Sequence, residues 1–343
     1  MSLQKIANDS AEQTRLDRAI HNIVQRYGDE SVRRAGVANS KATNSIPTGS
    51  ISLDVAIGVG GIPRGRVTEI YGPESCGKTT LAMSILTEAQ QLGGKAAFID
   101  MEHVLDLPYA AHLGVNLDDL LLAQPETGEQ AFEIMETLIR SGEIDFIVLD
   151  SVAALVPRAE IESDMGMDIG DQIPRLIDQA MRKLSGPIAK TNTCVVFTNQ
   201  LRIKLGVMFG NPETTTGGMP LSNWASVRLD MRRIQSIKVG ANIIGTRTRV
   251  RVVKNRLAIP FQTAEFDILY NEGISKQGDL LDLAVEREII KKKGSHYSYG
   301  KTSIGEGRIK AVEFLSQKEE IATEIENKIR QEIHRIAEKS KNK

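Results

Sequence analysis

The chain has 343 residues, 41% of them apolar, and its 43 basic and 44 acidic side chains nearly cancel. This length exceeds that of a usual single domain, so we expect one large core with smaller appendages. The balanced charge excludes a whole-molecule electrostatic footprint for nucleic acid, and any such binding must use local patches. The apolar runs are too short for a membrane span, and two cysteines without a secretory leader suit a reducing cytosol.

The first predicted element is an amphipathic helix from about Ser10 to Tyr27, with apolar residues at a three/four spacing and Gly28 as its stop. A span rich in glycine, serine and asparagine, residues 36–50, separates this helix from the next element. The apolar stripe of the helix packs either on its own domain or on a neighbouring subunit, and the pattern leaves both open.

The segment from Gly72 to Thr79 fits the phosphate-loop pattern G-x-x-x-x-G-K-[ST]. A strand-like run precedes it and a helix follows, which is the order that this motif requires. We expect Lys78 to reach the β- and γ-phosphates of a nucleoside triphosphate, and the Thr79 hydroxyl to hold Mg²⁺. An ordinary strand-to-helix turn is the alternative. The residues assigned to this loop are Gly72, Pro73, Glu74, Ser75, Cys76, Gly77, Lys78, Thr79 and Thr80.

Cys76 stands at a helix N-terminus, a position that favours a lowered thiol pKa. We assign it no catalytic role.

Three further predicted strands are followed by polar side chains, Glu102, Asp150 and Gln200. The carboxyl ends of strands form the ligand edge of an open α/β sheet. Glu102 is therefore placed to orient a water on the γ-phosphate, and Asp150 to hold the water shell of Mg²⁺. Gln200 could contact the γ-phosphate or its water. A solvated loop acid is the alternative for Glu102.

Two segments near this edge read as loops. The first, residues 160–171, precedes a helix that exposes Arg175 and Arg182. The second, residues 201–218, is too rich in glycine and threonine for a helix. Its side chains offer phosphate and base contacts, and a polar lid is the alternative. In this second loop the side chains that could make such contacts are those of Arg202, Lys204, Phe209, Thr214, Thr215 and Thr216, and the loop ends in Gly217 and Gly218.

Three alternating segments, which begin near Ala225, Arg247 and Ala264, predict antiparallel strands that extend the sheet. Lys254 and Arg256 end the middle strand. Their side chains could bind a phosphate across a subunit boundary, or they could lie at a solvated edge of the sheet. Beyond residue 273 the composition changes to that of a small domain with a basic patch and a final amphipathic helix.

These residues resemble one family, the bacterial RecA-type DNA recombinases, from about Leu16 to the final helix. The blocks that carry the resemblance are residues 72–80, 150–160, 206–218 and 228–234. It implies an α/β fold whose RecA-like P-loop ATPase core has a mostly parallel central sheet extended by antiparallel strands. The implied domains are an N-terminal oligomerisation helix (1–36), the ATPase core with DNA-binding loops (37–272) and a small α+β C-terminal domain for duplex DNA (273–343).

The resemblance also implies an ATP- and Mg²⁺-dependent ATPase that forms a helical homo-oligomeric filament on single-stranded DNA. Such a filament pairs with homologous duplex DNA, exchanges strands, and promotes self-cleavage of the SOS repressor in the cytoplasm, in association with the nucleoid. By position, Glu102 activates the hydrolytic water, and Asp106 and Tyr109 contact adenine. Lys254 and Arg256 reach ATP on the adjacent subunit. The loops at 165–171 and 202–218 line the DNA together with Arg175 and Arg182.

The sequence departs from the family pattern at several positions. Cys76 stands for serine, Met101 for alanine and Arg256 for lysine. At a subunit contact, residues 219–224 read Met-Pro-Leu-Ser-Asn-Trp where the family tends to have Asn-Ala-Leu-Lys-Phe-Tyr. A diverged, ATP-gated DNA-binding filament without strand exchange is therefore a second hypothesis. A P-loop kinase for a small substrate is a third.

Overall fold

The structure is a computed structural model. It describes residues 3–29, 31–32, 44–164, 172–203 and 213–341, and the side chains of these residues from 15 to 331. The chain divides into two units, Met1–Asn44 and Ser45–Lys343.

The first unit contains helix α1 (Leu3–Tyr27), which begins earlier than its sequence pattern predicts. Gly28 follows its last residue with a φ of 92°, a backbone conformation that favours glycine. The apolar side chains of Leu16, Ile23 and Tyr27 are exposed. Docking of this stripe on a neighbouring subunit stays a prediction.

The second unit begins with two antiparallel strands, β1 (Ser45–Ile46) and β2 (Ile62–Pro63), and helix α2 (Ile51–Ile57) between them. Ile46 is fully buried, and the Ser50 hydroxyl caps α2 by accepting a hydrogen bond from Leu53 N. The end of the span predicted as a linker, residues 36–50, therefore belongs to the folded core.

The central sheet has ten strands within the described ranges. They are β3 (Val67–Gly72), β4 (Ala96–Asp100), β5 (Leu120–Ala123), β6 (Phe146–Asp150), β7 (Cys194–Ile203), β8 (Glu213–Thr215), β9 (Val227–Val239), β10 (Asn242–Asn255), β11 (Thr263–Leu269) and β12 (Gly273–Ile274).

The order across this sheet is β12-β11-β10-β9-β3-β7-β6-β4-β5, and β8 pairs with β7. The strands from β9 through β3 to β5 pair in parallel, and β10, β11 and β12 add antiparallel pairs. The predicted α/β class, a parallel sheet extended by antiparallel strands, is confirmed.

Helices cover both faces of the sheet. They are α3 (Lys78–Gln91), α4 (Leu107–His112), α5 (Gly128–Arg140), α6 (Arg158–Ile161), α7 (Gln172–Thr191) and α8 (Gly218–Trp224). Neighbouring residues of β6 point to opposite faces, because side chains alternate along a strand. Val148 packs in the core that α3 shares, whereas Leu149 packs in the core that α5 and α7 share. The sheet is thus buried on both faces, and ligands of such sheets bind at the carboxyl ends of the strands.

The prediction of one continuous loop over residues 201–218 is wrong at both ends. Strand β7 continues to Ile203, and β8 pairs back with it in antiparallel register, Leu201 opposite Thr215. Helix α8 then begins at Gly218. The backbone hydrogen bonds of the hairpin hold Glu213 to Thr215 as a strand, although the many glycines of the segment do not favour one. Residues 165–171 and 204–212, including Lys204 and Phe209, lie outside the described residues.

The C-terminal part of the second unit has its own sheet and apolar cluster. Its elements are α9 (Lys276–Glu286), β13 (Lys291–Lys293), β14 (His296–Tyr299), β15 (Thr302–Glu306), α10 (Arg308–Gln317) and α11 (Glu319–Lys341). Ile325 and Ile329 of α11 are buried in this cluster, as the stripe on the last helix predicts. No helix in the part of the chain that the structure describes is long and apolar enough to cross a membrane.

Candidate active site

The phosphate loop joins β3 to α3, and both of its motif glycines are sterically required. A Cβ on Gly72 would lie 2.1 Å from the backbone oxygen of Met231 on β9. A Cβ on Gly77 would lie 2.5 Å from Ile268 Cδ1, and Gly77 has a φ of 96°. Gly77 caps α3 without a side-chain hydrogen bond. Because a glycine cap has no side chain that accepts from them, N–H groups in the first turn of the helix can bind an anion.

Lys78 is the first residue of α3, and its side chain folds back over the loop. Its Nζ donates to the carbonyl oxygens of Pro73 at 2.8 Å and Gly72 at 3.2 Å. The residue is largely buried. This arrangement holds the ammonium at the mouth of the loop, where a phosphate oxygen could replace the carbonyl oxygens as its acceptor.

Thr79 and Asp150 meet across the gap between α3 and the end of β6. Thr79 Oγ1 donates to Asp150 Oδ2 at 2.6 Å, and Thr198 Oγ1 donates to Asp150 Oδ1. Burial raises the pKa of Asp150, the negative charge of Glu102 acts in the same direction, and the two hydroxyl donors oppose it. A hydroxyl and a carboxylate are the hard oxygen ligands that Mg²⁺ prefers, so this donor set fits that ion.

Glu102 lies in the exposed turn after β4 and faces two neighbouring strand ends. Its Oε1 accepts from Ser151 Oγ at 2.5 Å and from Gln200 Nε2 at 3.4 Å. The pairing of β4 with β6 places Asp100 opposite Asp150, which brings these turns together. Glu102, Asp150 and Gln200 therefore lie at one edge. Sequence reasoning missed Ser151, although its place directly after Asp150 was a signal.

Asp106 caps the short helix α4. Its Oδ1 accepts from Tyr109 N at 3.0 Å, and Tyr109 packs partly against the core beneath α3. This contact orders the α4 segment, and the adenine role of both residues stays a prediction.

Lys254 and Arg256 lie together at the end of β10, against the C-terminus of α8. Lys254 Nζ donates to the carbonyl oxygens of Ser222 at 2.6 Å and Asn223 at 3.0 Å. Arg256 Nη2 donates to the Asn223 oxygen at 2.8 Å. Partial burial lowers the pKa of Lys254, and the nearby positive charges of Arg256 and Arg228 act in the same direction. These cations neutralise the negative end of a helix.

Among the described residues, those assigned to DNA lie in the β7–β8 hairpin, at the start of α8 and on α7. Arg175, Arg182 and Arg202 are exposed, and Arg202 pairs in register with Thr214. Thr215 is buried, and the Thr216 N–H donates to the Gln200 carbonyl oxygen at 3.3 Å.

Gly217 and Gly218 have φ values of 78° and 64° at the start of α8. A Cβ on Gly217 would lie 2.4 Å from Ile177 Cδ1, so this glycine allows α8 to approach α7 closely.

The prediction of a lowered pKa for Cys76 is wrong. The thiol is buried, and burial raises its pKa by more than Lys78 and the nearby N–H groups lower it. The position at a helix N-terminus was visible in the sequence, but the burial was not.

A buried ion pair beneath the ligand edge was not anticipated. Glu69 on β3 accepts from Arg228 Nε at 2.5 Å and from Asn199 Nδ2 at 2.9 Å. Asn199 also donates to the carbonyl oxygen of Thr216 at 2.9 Å. This network ties β3, β7 and β9 to the hairpin. The available signal was a single acid, Glu69, in an otherwise apolar strand.

Comparison with known proteins decides the family. The RecA N-terminal domain model matches residues 14–275, and the RecA C-terminal domain model matches residues 278–334. The chain belongs to the RecA family. Membership in the RecA family implies ATP binding, DNA-dependent ATPase activity and a role in DNA recombination and repair.

Similar curated proteins cover nearly the whole chain. Protein RecA of Citrifermentans bemidjiense is 59% identical over 324 residues, which are 94% of this chain and 95% of that protein. Protein RecA of Caldanaerobacter subterraneus subsp. tengcongensis is 55% identical over 94% of each chain. Protein RecA of Geobacter sulfurreducens is 56% identical, over 92% of this chain and 93% of its own length. Each of these RecA proteins is similar to this chain over most of the two regions that the domain models match.

Proposed function

We propose that this chain is an ATP-dependent homologous recombinase that forms a helical filament on single-stranded DNA, pairs it with homologous duplex and exchanges strands. One observation carries the proposal. The Glu102 carboxylate accepts from Gln200, and Gln200 leads within β7 directly into the hairpin that carries the residues assigned to DNA. Gln200, which would sense the nucleotide phosphate, thus lies in the same stretch of chain as the residues that would contact DNA.

The proposed reaction is hydrolysis of ATP to ADP and phosphate. Glu102 orients the attacking water, and N–H groups in the first turn of α3 together with Lys78 hold the phosphates. Thr79 and Asp150 would hold Mg²⁺, which neutralises charge on the phosphate oxygens. Lys254 and Arg256 of the adjacent subunit stabilise the charge that develops on the γ-phosphate. Asp106 and Tyr109 contact the adenine.

The proposed DNA site uses α7 and the hairpin. The exposed side chains of Arg175, Arg182 and Arg202 would bind phosphates of the DNA. The glycine- and threonine-rich segment from 204 to 218 would contact the DNA single strand. The proposed partners are single-stranded DNA, duplex DNA at the C-terminal domain, other copies of the chain through α1, and an SOS repressor. The proposed location is the cytoplasm, in association with the nucleoid.

Single-stranded DNA should stimulate ATP hydrolysis by the full-length chain. The test measures phosphate release with Mg²⁺, with and without oligo(dT), and looks for filaments by electron microscopy. Stimulated turnover on filaments supports the proposal. ATP hydrolysis that is indifferent to DNA, or the phosphorylation of a small metabolite, would exclude it.

A second function, ATP-gated DNA binding without strand exchange, is favoured by one feature. Residues 219–224 depart from the family pattern, and the C-terminal carbonyl groups of the helix that they form hold Lys254 and Arg256. A change there could alter how nucleotide state is coupled to assembly. Strand exchange separates the two functions, because only a recombinase forms the product.

A further inference from the structure

One carboxylate joins α7 to α8. Asp178 Oδ1 accepts from Trp224 Nε1 at 3.1 Å, and Asp178 Oδ2 accepts from Arg182 Nη2, one turn further along α7. The Asp178 side chain is 32% exposed and that of Arg182 is 71% exposed. Arg182 can therefore leave Asp178 for another anion without opening the core.

The same C-terminal end of α8 also holds the two cations at the end of β10. Trp224 is the last residue of α8, and the carbonyl oxygens of the two residues before it accept from Lys254 and Arg256. The indole packs partly in the core that α7 shares. A shift of Trp224 must therefore move the oxygens that position both cations.

Arg182 and Trp224 both donate to the Asp178 carboxylate, so the loss of one donor affects the bond to the other. With Arg182 in place, the charge of Asp178 is shared between a guanidinium and an indole N–H. When a phosphate takes Arg182, the Asp178 carboxylate keeps the indole as its partner, and the charge-assisted bond to Trp224 strengthens.

We propose that Asp178 and Trp224 are positioning residues that transmit the binding of a DNA phosphate at Arg182, through α8, to Lys254 and Arg256. The inference rests on the proposed function, in which Arg182 meets DNA and both cations meet a nucleotide. It adds the route between the two sites and the residues along it.

Two conservative variants test the route in the full-length protein. Asp178→Asn removes the charge with little change of shape, and Trp224→Phe removes the indole N–H and keeps an aromatic ring. Glu136→Gln is the matched control, because Glu136 pairs with Arg140 in the same i,i+4 arrangement on α5, at 2.8 Å. ATP turnover is measured with and without oligo(dT).

Each variant should lower the DNA stimulation of turnover by about fivefold or more and leave turnover without DNA within about twofold of the unchanged protein. The double variant should be no worse than the worse single variant, because both changes interrupt one route. Glu136→Gln should behave as the unchanged protein does.

Trp224 is the single tryptophan of the chain, so its fluorescence reports this contact directly. Addition of oligo(dT) should change the emission of the unchanged protein and of Glu136→Gln, and the change should be absent in Asp178→Asn. A purely structural role for Asp178 would leave this response in place. If Trp224→Phe lowers the melting temperature, Asp178→Asn carries the test, because its change is confined to a partly exposed group.

Equal DNA stimulation in all five proteins, or an unaltered emission change in Asp178→Asn, would overturn the inference and leave the proposed function standing. An unchanged protein whose turnover ignores DNA would overturn the proposed function, and the inference with it.

Discussion

Gln200 Nε2 lies 3.4 Å from Glu102 Oε1, so the C-terminal half of β7 contacts the turn after β4 across the ligand edge of the sheet. The parallel strands β4 and β7 are far apart in the sequence but near each other in the sheet, and together they bring this polar pair into contact. The pair stands at the accessible carboxyl edge, where an α/β sheet binds its ligand. Its position makes Glu102 the group whose replacement is most informative.

Glu102→Gln should keep nucleotide binding and lower ATP turnover by about a hundredfold or more, because an amide cannot accept the proton of the attacking water. Nucleotide affinity is measured by calorimetry, and turnover by phosphate release. Glu133→Gln, an exposed acid on α5, is the control and should change neither. Unchanged turnover in Glu102→Gln would remove Glu102 from its proposed role.

Thr79→Val should weaken Mg²⁺-dependent ATP binding by about tenfold or more, because it removes the hydroxyl that lies against Asp150. Thr87→Val is a matched control on the same helix, since the Thr87 hydroxyl bonds only to backbone oxygens of Met83 and Leu113. Binding is compared with Mg²⁺ and with a chelator. Equal affinities for the two variants would contradict the Mg²⁺ assignment.

A buried acid on α2 should make stability depend on pH. Burial raises the pKa of Asp54 to about 8, against hydrogen bonds from Thr48 and the charge of Arg330. Between the unfolded value of 3.8 and about 8, the folded protein holds a proton that the unfolded chain has released. The stability from this group is therefore complete below the unfolded pKa and is lost as the pH rises through about 8.

Asp54→Asn should flatten this dependence, because the amide oxygen still accepts from Thr48 and the side chain cannot ionise. Melting temperatures are measured from about pH 5 to about pH 9, and the variant should lose less stability on the alkaline side than the unchanged protein. Asp118→Asn, at an exposed position, should follow the unchanged protein. Parallel curves for all three would mean that Asp54 does not take up a proton on folding.

Arg308→Leu should lower the free energy of unfolding by about 2 kcal/mol, because Asp267 and Asp282 lose one of the two guanidinium groups that they share and keep Arg247 as the other. Arg308 bonds to both oxygens of Asp282 at 3.0 Å and lies 2.7 Å from Asp267, whose side chain is 5% exposed. Urea unfolding measures the change. Arg249→Leu removes an exposed pair with Glu265 and should cost below about 1 kcal/mol. Equal losses would show that burial of the acids does not decide the effect.

Several strands of the central parallel sheet could be predicted because a short apolar run indicates a buried strand without its neighbours. Phe146 to Asp150 is a short apolar run ending in an acid, and it forms β6 as expected. The hairpin of β7 and β8 could not be predicted, because Glu213 to Thr215 are polar and become a strand only by pairing with Leu201 to Ile203.

The candidate site was predictable by residue type and less so by contact. The sequence places Glu102, Asp150 and Gln200 at strand ends, but Ser151 and Thr198 emerge as their partners only from the register between strands. Burial was also invisible in the sequence. It reverses the expected pKa shift of Cys76, because burial raises the pKa of the thiol by more than Lys78 and the nearby N–H groups lower it.

Strand exchange tests the central claim most directly. A circular single strand is coated with the protein in ATP and Mg²⁺, a homologous linear duplex is added, and the products are separated on a gel, with a heterologous duplex as the control. We expect nicked circular product from the homologous duplex alone. ATP-dependent DNA binding without that product would contradict the recombinase function and would leave the DNA-binding filament as the function.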